Sequence, residues 1–260
     1  MKLSIITPAL NAEEFIERTL QSIWSANDLG SRADLEHIVV DGESTDATVD
    51  IVSRYPSKVL TGRDGGMYEA INKGLEAATG DVFGYVNSDD EVAAGALSLV
   101  VDAFERHPDR EWLIAPMIMM DAEGSDLAML RPPRWLSATR FRALGWNCLP
   151  QPSTFYRTEF ARSLGGFDSS YRLIADYDFA IRARDAERPI YVGRPLTRFR
   201  LHETNLSKDH EAMSAEGRRL GSARGIPTVR RALLKWTTKA QINLTNPRWA
   251  LGKRSGRVRY

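Results

Sequence analysis

Asp41 lies in the run VVDGESTD and the pair Asp89 and Asp90 in YVNSDD, and both motifs follow short apolar runs rich in β-branched residues. Such runs are strand-forming, and in open parallel sheets ligands bind in the crevice outside the carboxyl ends of the strands. Carboxylates placed there repel an anionic ligand unless a cation stands between them. A divalent ion such as Mn²⁺ or Mg²⁺ resolves the conflict, because the carboxylates hold it while phosphate oxygens complete its shell. The triplet Ser88-Asp89-Asp90 equally suits a helix N-terminus, where acids meet the positive end of the dipole. Asp41 on a neighbouring strand favours the metal site.

The elements that must position these residues alternate. Residues 3–7 (LSIIT), 36–40, 58–61 and 82–87 read as strands, separated by segments with helical spacing. Asn11, with Glu14 three residues on, has the pattern of a capping box for a helix running to Trp24. A second helix starts near Thr45 and ends before Pro56. Met67, Ala70, Ile71, Leu75 and Ala78 form the apolar stripe of a third, stopped by Gly80. A helix over 94–107 leads into a strand over 112–120. This is the signature of βαβ units on a parallel sheet, hence an α/β fold. Beyond a turn at 121–124, Pro132, Pro133, Pro150 and Pro152 mark long loops around a helix near 137–144, and helices follow at 158–164 and 175–185.

With these motifs in order, the chain resembles the family-2 glycosyltransferases of the GT-A fold. The resemblance rests on SIITPALNAEEFIERTLQSI, EHIVVDGESTDAT, DGGMYEAINKGLEAATGD and YVNSDD, and then on QPSTFYR, LGGFDSSYRLIADYDFAIR and FRLHETNLS. It covers residues 2–208 and is nearest to bacterial transferases that build surface polysaccharides. It implies a mostly parallel central sheet with flanking helices, and an inverting transfer from a nucleoside-diphosphate sugar to an acceptor hydroxyl. Thr7, Pro8, Asp41, Asp64 and Asp89 are then expected at the donor, with Asp41 on the base and Asp89 near the ribose. Asp90 is expected to hold the metal, and His202 to join it or to contact the diphosphate. A metal so placed neutralises the leaving nucleoside diphosphate. Asp176 corresponds to the general base, a task that suits a positioned carboxylate; Asp178 is the alternative. Trp146 and Gln151 fall where relatives shape the acceptor pocket. Leu10 stands where the family often has an aromatic, and Ala175 replaces the acid that often precedes the base.

A sugar nucleotidyltransferase would need a glycine-rich, basic loop after the first strand, and TPALNAEEF has no Gly, Lys or Arg. A non-catalytic sugar-nucleotide binder is disfavoured by the retention of Asp41, Asp90 and Asp176. The lone Cys148 excludes an internal disulfide. No apolar run approaches the ~20 residues of a membrane span, so a cytoplasmic enzyme is expected. Charge divides the chain into a body, 1–216, and a tail, 217–260. The tail has twelve Lys and Arg and no Asp or Glu, against 23 basic and 34 acidic side chains in the body. Its helical segment 228–244 interleaves Val229, Leu233 and Trp236 with cations, the composition of a helix lying on an anionic membrane. Docking onto the acidic body is the other reading. A polysaccharide or lipid-linked glycan is the expected acceptor, and the absence of a recognition motif argues against nucleic acid as a partner.

Overall fold

The computed structural model describes residues 1–30, 33–134, 137–221 and 225–254. Its centre is the strand β1 (Lys2–Ala9), of which seven of eight residues are buried. Strands covered on both faces are continuously apolar, and the side chains of β1 divide between two cores. Leu3 and Ile5 face one, with Ile23 of α1 (Ile16–Ser25). Ile6 faces the other, with Ile38 of β2 (Asp34–Asp41). The helix α2 (Thr48–Val52) leads to β3 (Lys58–Thr61), and α3 (Met67–Ala77) to β4 (Val82–Tyr85). A β-carbon on Gly74 would lie 2.5 Å from Ile6, so glycine is what lets α3 seat closely on β1.

β5 (Glu91–Val92) and α4 (Ala96–Arg106) precede a run the sequence reads as one strand, 112–120. It is two, β6 (Trp112–Ile114) and β7 (Met117–Met120), which belong to different sheets. Pro116 lies between them, and its missing N–H breaks the ladder there. Next come β8 (Asp126–Leu130), α5 (Ala138–Leu144), β9 (Thr154–Arg157), α6 (Thr158–Ser163), α7 (Ala175–Ala186), β10 (Ile190–Tyr191) and β11 (Thr197–Arg200). Three helices end the chain: α8 (His210–Leu220), α9 (Thr228–Thr245) and α10 (Pro247–Arg254). The main sheet has the order β10-β6-β9-β4-β1-β2-β3, and within it only the pairings of β9 are antiparallel. This is the mostly parallel sheet with flanking helices implied by the resemblance. The second sheet, β5-β11-β7-β8, lies beside the strand ends.

Two expectations are corrected. Asn11 does not cap α1: its backbone is left-handed (φ 49°), and its side-chain oxygen accepts from the N–H and hydroxyl of Thr45. The side chain thus holds the neighbouring turn, and α1 begins at Ile16. The division at 216 falls inside α8, and the tail is built into the body. Ile242 and Trp249 join the core around Phe141 and Tyr177. Arg140 donates to Thr237 and Gln241, and Asn246 exchanges hydrogen bonds with the backbone of Arg131. Among the described residues no ion pair joins the cations of the tail to the body; apolar packing and hydrogen bonds to neutral groups dock it, and Arg219 lies over the Tyr171 ring. Arg224, Arg257 and Arg259, and the side chains of Lys253 and Arg254, lie outside the described residues.

Candidate active site

The site opens where the central sheet splits. β4 stops pairing with β1 at Ile6–Tyr85, whereas β2 continues alongside β1 to Ala9–Asp41. Pro8 therefore sits where one neighbour has already departed, and its missing donor removes no ladder bond on that side. The resulting cavity has a volume of about 1170 Å³, and its wall includes Pro8, Leu10, Asp64, Asp89 and Asp176.

Pairing in the small sheet assembles one side of it. β5 follows directly after Asp90, β11 ends two residues before His202, and the two strands pair antiparallel. Residues 113 apart in sequence thereby meet: His202 Nε2 lies 2.8 Å from Asp89 Oδ2. Nδ1 of the same ring contacts the Thr204 hydroxyl at 2.9 Å, and Phe15 packs against the ring. The buried Arg200 anchors this corner. It pairs with Glu91, donates from Nε to the Asp89 carbonyl at 2.9 Å, and lies over the Phe15 ring.

Asp90, expected to hold the metal, faces the other way. It is fully buried; its Oδ1 accepts from the Arg200 N–H at 3.0 Å and its Oδ2 from Asn87 Nδ2 at 3.3 Å. Burial, together with the neighbouring Asp89, pushes its carboxyl well above the usual carboxylate range. The cavity-facing residues of the motif are instead Asn87, Ser88 and Asp89. Asn87 Oδ1 is buried there without a hydrogen-bond partner. Buried acceptors are normally satisfied, so this oxygen is suited to a donor group on a ligand.

Two other donor-side residues expected from sequence lie behind the wall rather than in it. Thr7 is buried, with its hydroxyl 3.0 Å from His37 Nε2, because alternation along β1 turns it from the opening. Asp41 is also buried and accepts from the Ser44 N–H, bracing the turn after β2. Asp64 does line the cavity, and its Oδ1 accepts from the Gly66 N–H at 3.0 Å. Gly66 has φ 135° at the start of α3, a conformation open to glycine, so DGG is a turn that presents Asp64.

Across the cavity, Asp176 stands in the first turn of α7. Its Oδ1 accepts from the Tyr68 hydroxyl at 3.1 Å and the Tyr177 N–H at 2.8 Å, and its Oδ2 from Asn147 Nδ2 at 2.7 Å. Burial raises its pKa, against the three hydrogen bonds that favour the carboxylate. Asp178 points elsewhere, with Oδ2 held by Arg182 at 2.8–2.9 Å. Trp146 and Gln151 line the cavity, as do Lys235, Lys239 and Trp249 from the tail.

The family model for glycosyl transferase family 2 matches residues 4–157, more than half of the chain. The chain belongs to glycosyl transferase family 2. A PGL/p-HBAD biosynthesis glycosyltransferase of Mycobacterium bovis is 30% identical over 187 residues, covering 69% of this chain and 68% of that protein. The structure of Staphylococcus aureus TarS residues 1–349 in complex with UDP-GlcNAc superposes with a TM-score of 0.68 at 20% identity, over 94% of this chain and 73% of that one. A mannosyltransferase from Pyrobaculum calidifontis, in complex with GDP-Man and Mn²⁺, gives 0.60 at 18% identity, over 98% and 79%. The sheet and helices of this glycosyltransferase are those of the GT-A fold.

Two residues that hold Asp176 and Asp89 in place escape a reading of this transferase's sequence. Tyr68 was present in DGGMYEAI and Arg200 in FRLHETNLS, but neither carries a local signal of its partner. Tyr68 and Asp176 are 108 residues apart, and Arg200 and Asp89 are 111 apart.

Proposed function

We propose that this glycosyltransferase takes a sugar from a nucleoside-diphosphate sugar with the help of a divalent cation and delivers it, with inversion, to a hydroxyl of a membrane-associated glycan acceptor. The observation that carries the reading is a single cavity with Asp89, in contact with His202, on one side and Asp176 on the other.

A carboxylate and an imidazole in contact form a donor set that suits Mn²⁺, and the Nδ1 contact to Thr204 fixes the ring with Nε2 toward Asp89. Among the described residues no cluster of three or more acidic, histidine or cysteine side chains could hold a metal. The protein would thus supply Asp89 and His202, leaving the remaining positions to diphosphate and water. When bound, the cation would neutralise charge on the departing nucleoside diphosphate. Relative to the sequence reading, the roles move back along the motif: Asp89 rather than Asp90 for the metal, and the unpartnered Asn87 Oδ1 for a ribose hydroxyl. Pro8, Leu10 and Asp64 bound the space for the base, with Thr7 and Asp41 supporting them from behind.

Asp176 acts as the base. Its Oδ atoms are oriented by Tyr68, Asn147 and the Tyr177 N–H, and it takes the proton of the acceptor hydroxyl as that oxygen attacks the anomeric carbon. Inversion follows from a single displacement. Trp146 and Gln151 lie close by to position the acceptor sugar.

The outer face of α9 supports a membrane-bound acceptor. Val229, Leu233, Trp236 and Leu244 recur at helical spacing and are exposed, Trp236 at 70%. Basic residues flank them and no acid does, which matches an interfacial helix on an anionic surface. Among the described residues no helix is long and apolar enough to cross a membrane.

The test is turnover of a panel of nucleotide sugars with Mn²⁺, with and without EDTA, using wild-type protein and Asp89→Asn. Activity should require the cation and be lost in the variant. Turnover undiminished by EDTA would reject the metal-assisted mechanism.

A further inference from the structure

On its inward side, α9 carries Arg231, Lys235 and Lys239. The i, i+4, i+8 spacing stacks them along one face of the helix. Lys235 and Lys239 line the cavity. Arg231 Nη2 and Lys235 Nζ each lie 3.7 Å from the point a β-carbon on Gly145 would occupy. Gly145 immediately precedes Trp146 and Asn147, and Asn147 holds Asp176, so the cations border the acceptor side.

Among the described residues no carboxylate pairs with any of the three, although the body is rich in acids. Like charges one turn apart repel, and at Lys235 partial burial adds to the cost. Burial first, then Arg231 and Lys239, hold the Lys235 amine below its usual pKa. Two lysines in the cavity wall with Arg231 one turn away at its rim, and no internal counter-charge among the described residues, call for an anion from outside. Met213, Ile242 and Trp249 line the same cavity, so an anion with apolar substance beside it fits best.

We propose that Arg231, Lys235 and Lys239 form an acceptor subsite for a phosphate or diphosphate group, making the acceptor a phosphate-bearing glycan carrier rather than a neutral sugar. The inference rests on the donor reading above, in which Asp89 and His202 already engage the nucleotide's diphosphate. Two carriers share this chemistry, a prenyl-diphosphate-linked sugar and a polymer of phosphodiester units.

The test uses the full-length protein saturated with UDP or GDP and Mn²⁺, so that the donor subsite is filled. Farnesyl diphosphate, glycerophosphoglycerol and neutral farnesol are then titrated in turn. Farnesyl diphosphate or the phosphodiester should bind, farnesol should not, and whichever phosphate binds identifies the carrier. Lys235→Glu/Lys239→Glu should weaken that binding by about tenfold or more, since charge-assisted contacts are the strong ones. Lys235→Arg/Lys239→Arg should retain it, and circular dichroism should show both variants folded. Three results would overturn the proposal: farnesol binding as tightly as its diphosphate, phosphate binding indifferent to charge reversal, or a loss confined to UDP or GDP affinity. Nucleotide binding with neither phosphate probe bound would overturn this inference alone. Failure of both nucleotides to bind with Mn²⁺ would remove the donor reading, and this inference with it.

Discussion

Asp89 and Asp90 are adjacent in sequence and opposite in environment, which makes them separable by mutation. Asp89→Asn should abolish Mn²⁺-dependent nucleotide binding, measured by calorimetry, with little change in Tm. Asp90→Asn should instead retain that binding and lose about 1–3 kcal/mol of stability, because it disturbs a buried acceptor shared by Arg200 and Asn87. Asp176→Asn should reduce transfer by ~10²–10⁴-fold while nucleotide affinity stays within a few fold. Asn147→Ala removes a hydrogen bond that favours the Asp176 carboxylate, so the acid limb of the transfer rate should move to higher pH. His37 and Glu36 both contribute to a loss of stability in acid. Burial depresses His37 to about 3, so the native state resists its protonation, and stability that is full above pH 6.5 falls as pH drops toward 3. For Glu36, burial works upward, but hydrogen bonds from Ser4, Thr79 and Lys2 overcome it and hold the carboxyl at about 2. Its contribution is full above pH 4.5 and declines below. In thermal scans His37→Gln should flatten the decline between pH 6.5 and 4.5 and make the decline between 4.5 and 3 shallower, leaving there the part due to Glu36.

At the scale of elements, α9 presents two faces of different character. Thr238 and Ile242 are buried in the body, and Ile242→Ala should cost about 2–5 kcal/mol through the cavity it leaves. Leu233 and Trp236 face solvent. Leu233→Glu/Trp236→Glu should leave Tm within experimental error and reduce co-sedimentation with anionic liposomes. Co-sedimentation equal to wild type would remove the membrane from the proposed function. The pairing of β5 with β11 matters in a different way. It is only two residues long on the β5 side, yet it sets Asp89 against His202. Buried Arg200, bonded to Glu91 and to the 89 and 122 carbonyls, stiffens a junction that so short a ladder would leave loose.

Across the whole molecule, opposite charge on body and tail suggests an electrostatic clasp, but among the described residues no ion pair joins the two; apolar packing and hydrogen bonds to neutral groups do. The docked tail closes one wall of the cavity with Lys235, Lys239 and Trp249. Deleting 217–260 would expose the core around Phe141 and Tyr177 and open that wall. The truncated protein should therefore show a lower Tm and lose transfer, in contrast to the separable extension suggested by composition alone. Raising salt should leave the Tm of the full chain nearly unchanged, since screening acts on exposed charge and not on buried apolar contacts. Liposome binding should weaken over the same range.

Sequence alone determined the alternating strands and helices of the first half, because period-two and helical spacing are local properties written into consecutive residues. It also marked Asp64, Trp146, Gln151 and Asp176, all of which line the cavity. The assignments within NSDD could not be read the same way. Whether Asp89 or Asp90 faces the cavity depends on how the loop after β4 meets β11, a strand more than a hundred residues away. The same holds for Thr7 and Asp41, whose burial follows from which face of the sheet α1 covers and from the turn after β2. Pairing between distant strands leaves no periodic trace, and the tail's basic composition gave no sign of its inward face. Those choices, which carboxylate meets the imidazole and which cations meet the cavity, were made by tertiary packing.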